Sequence, residues 1–322
     1  MRIAIAGAGL AGAYLFRLLK ENGYEDVDVY DVPSSTRCGR RPCAWGFAPS
    51  SEYRRLVSRF ADPERFILQQ LDSITIDGVK LKADMLTVDK PALQGELLSG
   101  VEVSLSPLDQ GSYDRIVDAT GVARAYLGPV DGPELVAECV QYRVSSPEPP
   151  GLWFNTSSIG YEWCFPLGGN EFHLGFGNLR SGVEDYRPSI EVPPREGSVR
   201  CRCRSRIRMS SPYHSQPFVV DQRIVGVGES IGTVGPLGGD GNLYAMQCAE
   251  LLMENWDDLD AYAQEVLSRY AWMRKERVAL DKLRRGRLPS PLDTRTFLQH
   301  TQRVGIEMSM GQALSWFRKA LQ

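Results

Sequence analysis

The chain has 322 residues, a formal net charge of −3 and 24% charged residues, without the basic field that nucleic-acid binding needs. No stretch of roughly eighteen apolar residues reads as a membrane span, so a cytoplasmic protein is expected, with peripheral membrane contact left open. The 7 cysteines lack a secretion signal and indicate thiols rather than a disulfide framework, and neither Cys201-Arg202-Cys203 nor the 3 scattered histidines have metal-ligand spacing.

Arg2 to Ala6 is a short apolar run that reads as a strand, with no room for a signal peptide before it. Gly7-Ala8-Gly9-Leu10-Ala11-Gly12 follows, then a helix carrying Leu15, Phe16, Leu18 and Leu19 as far as Asn22-Gly23, then a strand Val27 to Asp31. This is the context of a dinucleotide fingerprint, with its acid about twenty residues past the glycines. Gly7 permits the tight turn, Gly9 admits the pyrophosphate, and Gly12 brings helix close to strand. Leu10 and Ala11 complete the turn, where phosphates meet unpaired N–H groups at the helix start. Asp31 would accept hydrogen bonds from the adenosine ribose hydroxyls.

Thr36 to Cys43 is a polar loop. Short runs between Phe66 and Val79 around Asp77-Gly78 predict a hairpin outside the nucleotide domain. Thr87-Val88-Asp89-Lys90 precedes a helix through Leu98, Val101-Glu102-Val103 reads as a strand, and Arg115 to Gly121 reads as a strand ending in a small-residue turn. From Val136 to about Pro217 the alternation predicts antiparallel sheet, with Gly168-Gly169-Asn170 as a turn. Tyr161, Trp163 and Phe165 then share one face, and Phe172, Leu174 and Phe176 share another. Arg200, Arg202, Arg204, Arg206 and Arg208 alternate on one exposed strand face, a solvated edge or else a phosphate or acidic-partner patch.

Phe218 to Val220 and Arg223 to Val227 return to the nucleotide domain. A second glycine-rich segment follows, Gly228-Glu229-Ser230-Ile231-Gly232 continuing through Pro236-Leu237-Gly238-Gly239-Asp240-Gly241-Asn242. Helices are predicted from Leu243 to Met253 and from Leu259 to Arg285, where Gly286 stops the second. Leu314, Phe317 and Leu321 have helical spacing and are expected to pack on the core, with membrane or partner contact as the alternative. The two glycine-rich segments together suggest one flavin clamped from two sides, which moves the expected chemistry from nicotinamide to FAD.

Several separated segments resemble the geranylgeranyl reductase family of FAD-dependent oxidoreductases, within the para-hydroxybenzoate hydroxylase-type group. Arg37-Cys38-Gly39 resembles a loop that lies against the flavin, and its neighbour Arg41 joins the implied cofactor set. Thr87-Val88-Asp89-Lys90 resembles a segment whose basic residue, here Lys90, contacts the cofactor. Asp118-Ala119-Thr120-Gly121 resembles the Ala-Thr-Gly strand end, which implies Thr120 and Gly121. Tyr161-x-Trp163-x-Phe165-Pro166 resembles the element that walls the substrate cavity. Gly228, Gly232, Pro236 and Gly241 align with the second flavin motif, in which Gly238 and Gly239 also fall. Glu229 replaces its usual Asp, and Asn242 replaces an apolar residue.

The resemblance implies an α/β fold: a discontinuous Rossmann-like FAD-binding domain (1–60, 84–125 and 215–258), an antiparallel β-sheet substrate domain (61–83 and 126–214) and a C-terminal helical segment (259–322). It implies reduction of carbon–carbon double bonds in an isoprenoid or similar hydrophobic substrate; the sequence shows no second nucleotide fingerprint, so transiently bound NAD(P)H or a redox protein such as ferredoxin is expected as electron donor. A flavin monooxygenase of the same fold and a flavin-binding electron-transfer protein are the alternatives. Cys38 is the candidate for direct chemistry, against a simple packing role. No histidine lies in the matched motifs, so they identify no proton donor.

Overall fold

The structure, a computed structural model, describes residues 1–33, 43–156, 160–179, 197–287, 290–313 and 316. Ile3–Ala6 forms strand β1, wholly buried, and Leu10–Glu21 forms helix α1. Val27–Tyr30 (β2) then pairs parallel with β1, as the fingerprint requires. Gly46–Phe47 (β3) and Ser50–Val57 (α2) lead to a long hairpin, β4 (Ile67–Ile76) and β5 (Val79–Val88). Its turn is Asp77-Gly78, both with positive φ (47° and 81°), the conformation that favours glycine. Helix α3 (Lys90–Leu97) starts where the Asp89 carboxylate accepts a hydrogen bond from Ala92 N.

Short strands β6 (Val103–Ser104) and β7 (Arg115–Asp118) precede the antiparallel run β8 (Val136–Ser145), β9 (Trp153–Thr156), β10 (Gly160–Pro166), β11 (Glu171–Asn178) and β12 (Ser198–Arg208). The chain returns through β13 (Val219–Val220) and β14 (Ile224–Gly226). Helices α4 (Asn242–Glu254), α5 (Leu259–Arg269), α6 (Ala271–Arg284) and α7 (Pro291–Arg303) and strand β15 (Ile306–Glu307) complete the described elements.

Two sheets result. The six-stranded one has the order β13-β14-β7-β1-β2-β6, parallel except for β13. The nine-stranded one runs β12-β8-β11-β10-β9-β4-β5-β15, with β3 also on β5. The main core packs on the parallel sheet, where Ile3, Ile5, Tyr14, Leu15 and Leu18 of β1 and α1 are essentially inaccessible. A second core lies between the hairpin and α7: Ile74, Ile76, Leu81, Phe297 and Val304, with Trp316 stacked on Phe297 at 4.3 Å. No helix among the described residues is long and apolar enough to cross a membrane.

Three sequence expectations change. Residues 84–88 belong to the larger sheet, because the β4–β5 ladder continues to the Ile67–Val88 pair. The Leu259–Arg285 helix is two helices, since Tyr270 leaves helical geometry (φ −104°, ψ 20°) while its buried side chain stays in the core. Arg208 does not share the exposed face of Arg200, Arg202, Arg204 and Arg206. It is 4% exposed, pairs with Glu134 and donates to Val122 O at 2.8 Å, because β12 ends inside the junction between the sheets. Leu314, Phe317 and Leu321 lie outside the described residues.

Candidate functional site

The two sheets, α6 and α7 enclose a cavity of about 580 Å³. Its lining joins the first glycine turn and Asp31 to Tyr161, Trp163 and Phe165, and reaches Phe297 and Trp316 of the second core.

The glycines of the first turn divide into two kinds. A Cβ on Gly7 (φ +109°) would lie 2.3 Å from Ala119 O, and one on Gly12 would lie 2.0 Å from Gly7 O. Both let backbone approach backbone. Gly9 has ordinary dihedrals (φ −71°, ψ −175°), and a Cβ there would meet nothing within 4 Å among the described residues. The space beside Gly9 is cavity, and Gly9 heads α1 without any side-chain cap. Leu10 and Ala11 border the same space, so the positive end of α1 is open to an anion.

The Asp118 carboxylate is fully buried and organises the next turn. It accepts from Thr120 N (3.0 Å), Thr120 Oγ1 (2.6 Å), Tyr126 N (2.7 Å) and Leu127 N (3.2 Å). Thr120 is thereby occupied with the protein, and Ala119 and Gly121 border the cavity instead. Ser230 Oγ donates to Asp118 O at 2.6 Å, which ties the second glycine motif to this turn. Arg124, 4% exposed, donates to the carbonyls of Gly128 (2.8 Å), Ser215 (2.9 Å) and Ser230 (2.7 Å), and burial pushes its guanidinium down to about 10.

In the second motif, Gly228 (φ +71°) packs its bare Cα against α1, where a Cβ would lie 2.9 Å from Ala11 Cβ. Glu229 accepts from Arg208 N at 2.8 Å and borders the cavity next to Gly121. Gly238, Gly239, Gly241 and Asn242 line it as well, whereas Gly12, Thr120, Gly228 and Pro236 stand behind the lining. Asn242 opens α4 and donates Nδ2–H to Gly46 O at 2.9 Å, so the polar residue at this apolar position of the motif fastens α4 to β3. Lys90 is buried, borders the cavity and donates Nζ–H to Cys43 Sγ at 2.8 Å. Cys38, Gly39 and Arg41 lie outside the described residues.

Tyr161, Trp163 and Phe165 all reach the cavity from one face of β10. Across the ladder from Trp163 and Tyr161 stand Gly175 and Gly177 of β11. A Cβ on Gly175 would fall 2.3 Å from Trp163 Cζ2, so these glycines make room for the rings. Phe154 stacks on Tyr161 at 5.4 Å. Cys164 points to the opposite face, into a cluster with Val144, Phe172 and Leu174.

Sequence reasoning missed Gly175, Gly177, Asp118, Arg124 and His300. The two glycines inside an aromatic strand pattern were a readable signal. His300 was not, since it reaches the cavity only through the packing of α7.

Cavity side chains carry buried polar atoms that find no hydrogen-bond partner among the described residues, Gln94 Nε2, Trp163 Nε1 and Asp240 Oδ1 among them. Buried polar groups are ordinarily satisfied, so these atoms await a polar ligand. With the uncapped α1 and the space at Gly9, they fit a bound FAD.

No family model matches the chain. An uncharacterized protein of Methanocaldococcus jannaschii is 26% identical over 340 aligned positions, covering 87% of this chain and 91% of the relative. Among solved structures, a geranylgeranyl bacteriochlorophyll reductase-like protein from Thermoplasma acidophilum superposes with a TM-score of 0.71 at 16% identity, covering 99% of this chain and 95% of that one. A flavin-dependent halogenase from Brevundimonas sp. BAL3 gives 0.67 at 12% identity, covering 99% and 96%. The chain therefore has the α/β fold of the para-hydroxybenzoate hydroxylase-type flavoproteins, which the geranylgeranyl reductase-like proteins share.

Proposed function

We propose that this protein is an FAD-dependent oxidoreductase that reduces carbon–carbon double bonds of an isoprenoid or similarly hydrophobic substrate. The observation that carries the reading is one shared cavity, with glycine turns and an uncapped helix on one part of its wall and Tyr161, Trp163, Phe165, Phe154 and Phe297 on another. Bound FAD would supply hydride from its reduced ring. The protein's part is to hold and shield. Gly9 and the first-turn amides of α1 take the pyrophosphate, Asp31 the ribose, and Gly238 to Asn242 with the start of α4 the pyrimidine side of the ring. Lys90, Gln94, Gly121 and Glu229 complete the cradle. The aromatic wall excludes water and takes a chain-like apolar molecule. Electrons come from NAD(P)H bound transiently or from a redox protein such as ferredoxin, and a greasy substrate is compatible with delivery at a membrane surface.

The test is direct. The purified protein should be yellow or take up FAD, and its dithionite-reduced form should be reoxidised by geranylgeraniol without oxygen. Reoxidation that requires oxygen would favour the monooxygenase chemistry of this fold. A colourless protein that takes up no flavin would sink the whole reading.

A further inference from the structure

Saturating a double bond needs a proton as well as a hydride, and the structure places an imidazole at the cavity wall beside the glycine segment. Ser290 caps α7, and Lys282 of α6 pairs with Asp293 at 2.8 Å, which fixes α7 against α6. That packing brings His300, 6% exposed, to the cavity. Its Nδ1 lies 3.2 Å from Glu276 Oε1, and Glu276 is completely buried. A carboxylate only accepts, so Nδ1 carries the hydrogen of this bond. The other edge of the ring lies against Gly238, where a Cβ would come within 3.0 Å of both Cε1 and Nε2. Gly238 is part of the glycine segment assigned above to the flavin.

We infer that His300 is the proton donor of this reaction, with Glu276 as the positioning residue behind it. This rests on the flavin-reductase reading. The π bond breaks; one carbon takes hydride from the reduced flavin, the other takes the proton from His300 Nε2, and the imidazolium left neutral is recharged from water. Both electrons come from the flavin, so the balance closes.

The surroundings suit a charged imidazole. Burial opposes the charge most strongly, but Glu276 and Asp240 outweigh it and hold His300 above its ordinary value, with Arg303 opposing. The charged and titratable groups facing it are Glu276 from α6, Arg303 from α7, Asp240 from the glycine segment and Tyr244 of α4 beyond Asp240. Arg303 donates to Glu276 Oε1 at 3.1 Å and lies over the Trp272 ring at 4.2 Å, which restrains the carboxylate beside His300. Among the described residues Glu276 Oε2 has no hydrogen-bond partner of its own.

The test uses the flavin-loaded protein with 15N-labelled histidine. Of the 3 imidazoles, one should titrate above the ordinary range, vanish in His300→Gln and move down in Glu276→Gln. In anaerobic reoxidation by geranylgeraniol, His300→Ala should be slower by at least about 10²-fold, and added imidazole should restore much of the rate. Glu276→Gln should shift the pH–rate profile by the amount its imidazole moves, and flavin absorbance reports whether each variant is folded. A His300→Ala or Glu276→Gln variant with the parent's rate and pH profile overturns this inference alone. A parent protein that geranylgeraniol does not reoxidise overturns the reductase reading and the inference with it.

Discussion

Gly175 stands directly across the β10–β11 ladder from Trp163, and the indole fills the space a side chain at Gly175 would need. This residue pair thus makes room for one ring of the aromatic wall. Gly175→Ala puts a methyl 2.3 Å from the ring. Either the indole leaves its rotamer or the strands separate, at a cost of about 1–3 kcal/mol. Thermal unfolding should show a clear drop in midpoint, and tryptophan fluorescence should change with it. Unaltered values for both would mean that the ring does not lie over Gly175.

The first and third glycines of the fingerprint should behave unlike the second. Gly9→Ala meets no described neighbour at an ordinary φ, so its stability should stay within about 0.5 kcal/mol of the parent. Its methyl would occupy the space assigned to the pyrophosphate, so FAD affinity should fall by at least about tenfold. Gly12→Ala meets Gly7 O at 2.0 Å and should destabilise the fold itself. Denaturant titration with and without FAD separates the two, and equal effects at both positions would contradict this assignment.

Asp118 accepts four hydrogen bonds from the turn that joins the two glycine motifs. In Asp118→Asn, an amide N–H would face donors at Tyr126 and Leu127. The expected loss is about 2–3 kcal/mol, since buried donors are left unpaired. Urea unfolding measures it, and a loss below a few tenths would show that the turn does not depend on this carboxylate.

His173 makes the fold acid-sensitive. Burial pushes its imidazole down to about 3, the Ala44 carbonyl at 3.4 Å partly opposing and Arg143 and Lys90 adding to the fall. Unfolded, the ring titrates near its ordinary value of 6.5, so between 6.5 and 3 the unfolded state binds the extra proton. This contribution is complete above pH 6.5 and is lost as pH falls toward 3, at up to about 1.4 kcal/mol per pH unit. His300 acts in the opposite window: its raised value adds stability that fades as pH rises through it. Unfolding free energies at several pH values for the parent and His173→Gln should show a flatter acid limb in the variant.

The parts of the fold that were legible in the chain are those set by local pattern. The turn Gly7 to Gly12 with its flanking strands depends on residues within about thirty positions of one another, and β1, α1 and β2 form as that spacing demands. The alternation of Tyr161, Trp163 and Phe165 likewise put three rings on one side of β10, and all three line the cavity. Two expectations failed where a local pattern was extended through a tertiary boundary. The stripe from Leu259 to Arg285 is continuous in sequence, but Tyr270 stays in the core while the backbone turns. The arginine alternation is regular, yet its last member enters the junction between the sheets and pairs with Glu134.

The sequence by itself determined that a strand–turn–helix–strand unit with an acid at its end would form, and that an aromatic strand would belong to an antiparallel sheet. Both follow from φ/ψ preference and side-chain periodicity, which act over short separations. Only the tertiary structure decided that Gly9 opens on empty space, that Gly175 makes room for Trp163, and that His300 reaches Gly238 from far along the chain. Those relations arise when distant surfaces pack. No period along the chain encodes which side chain will face which cavity.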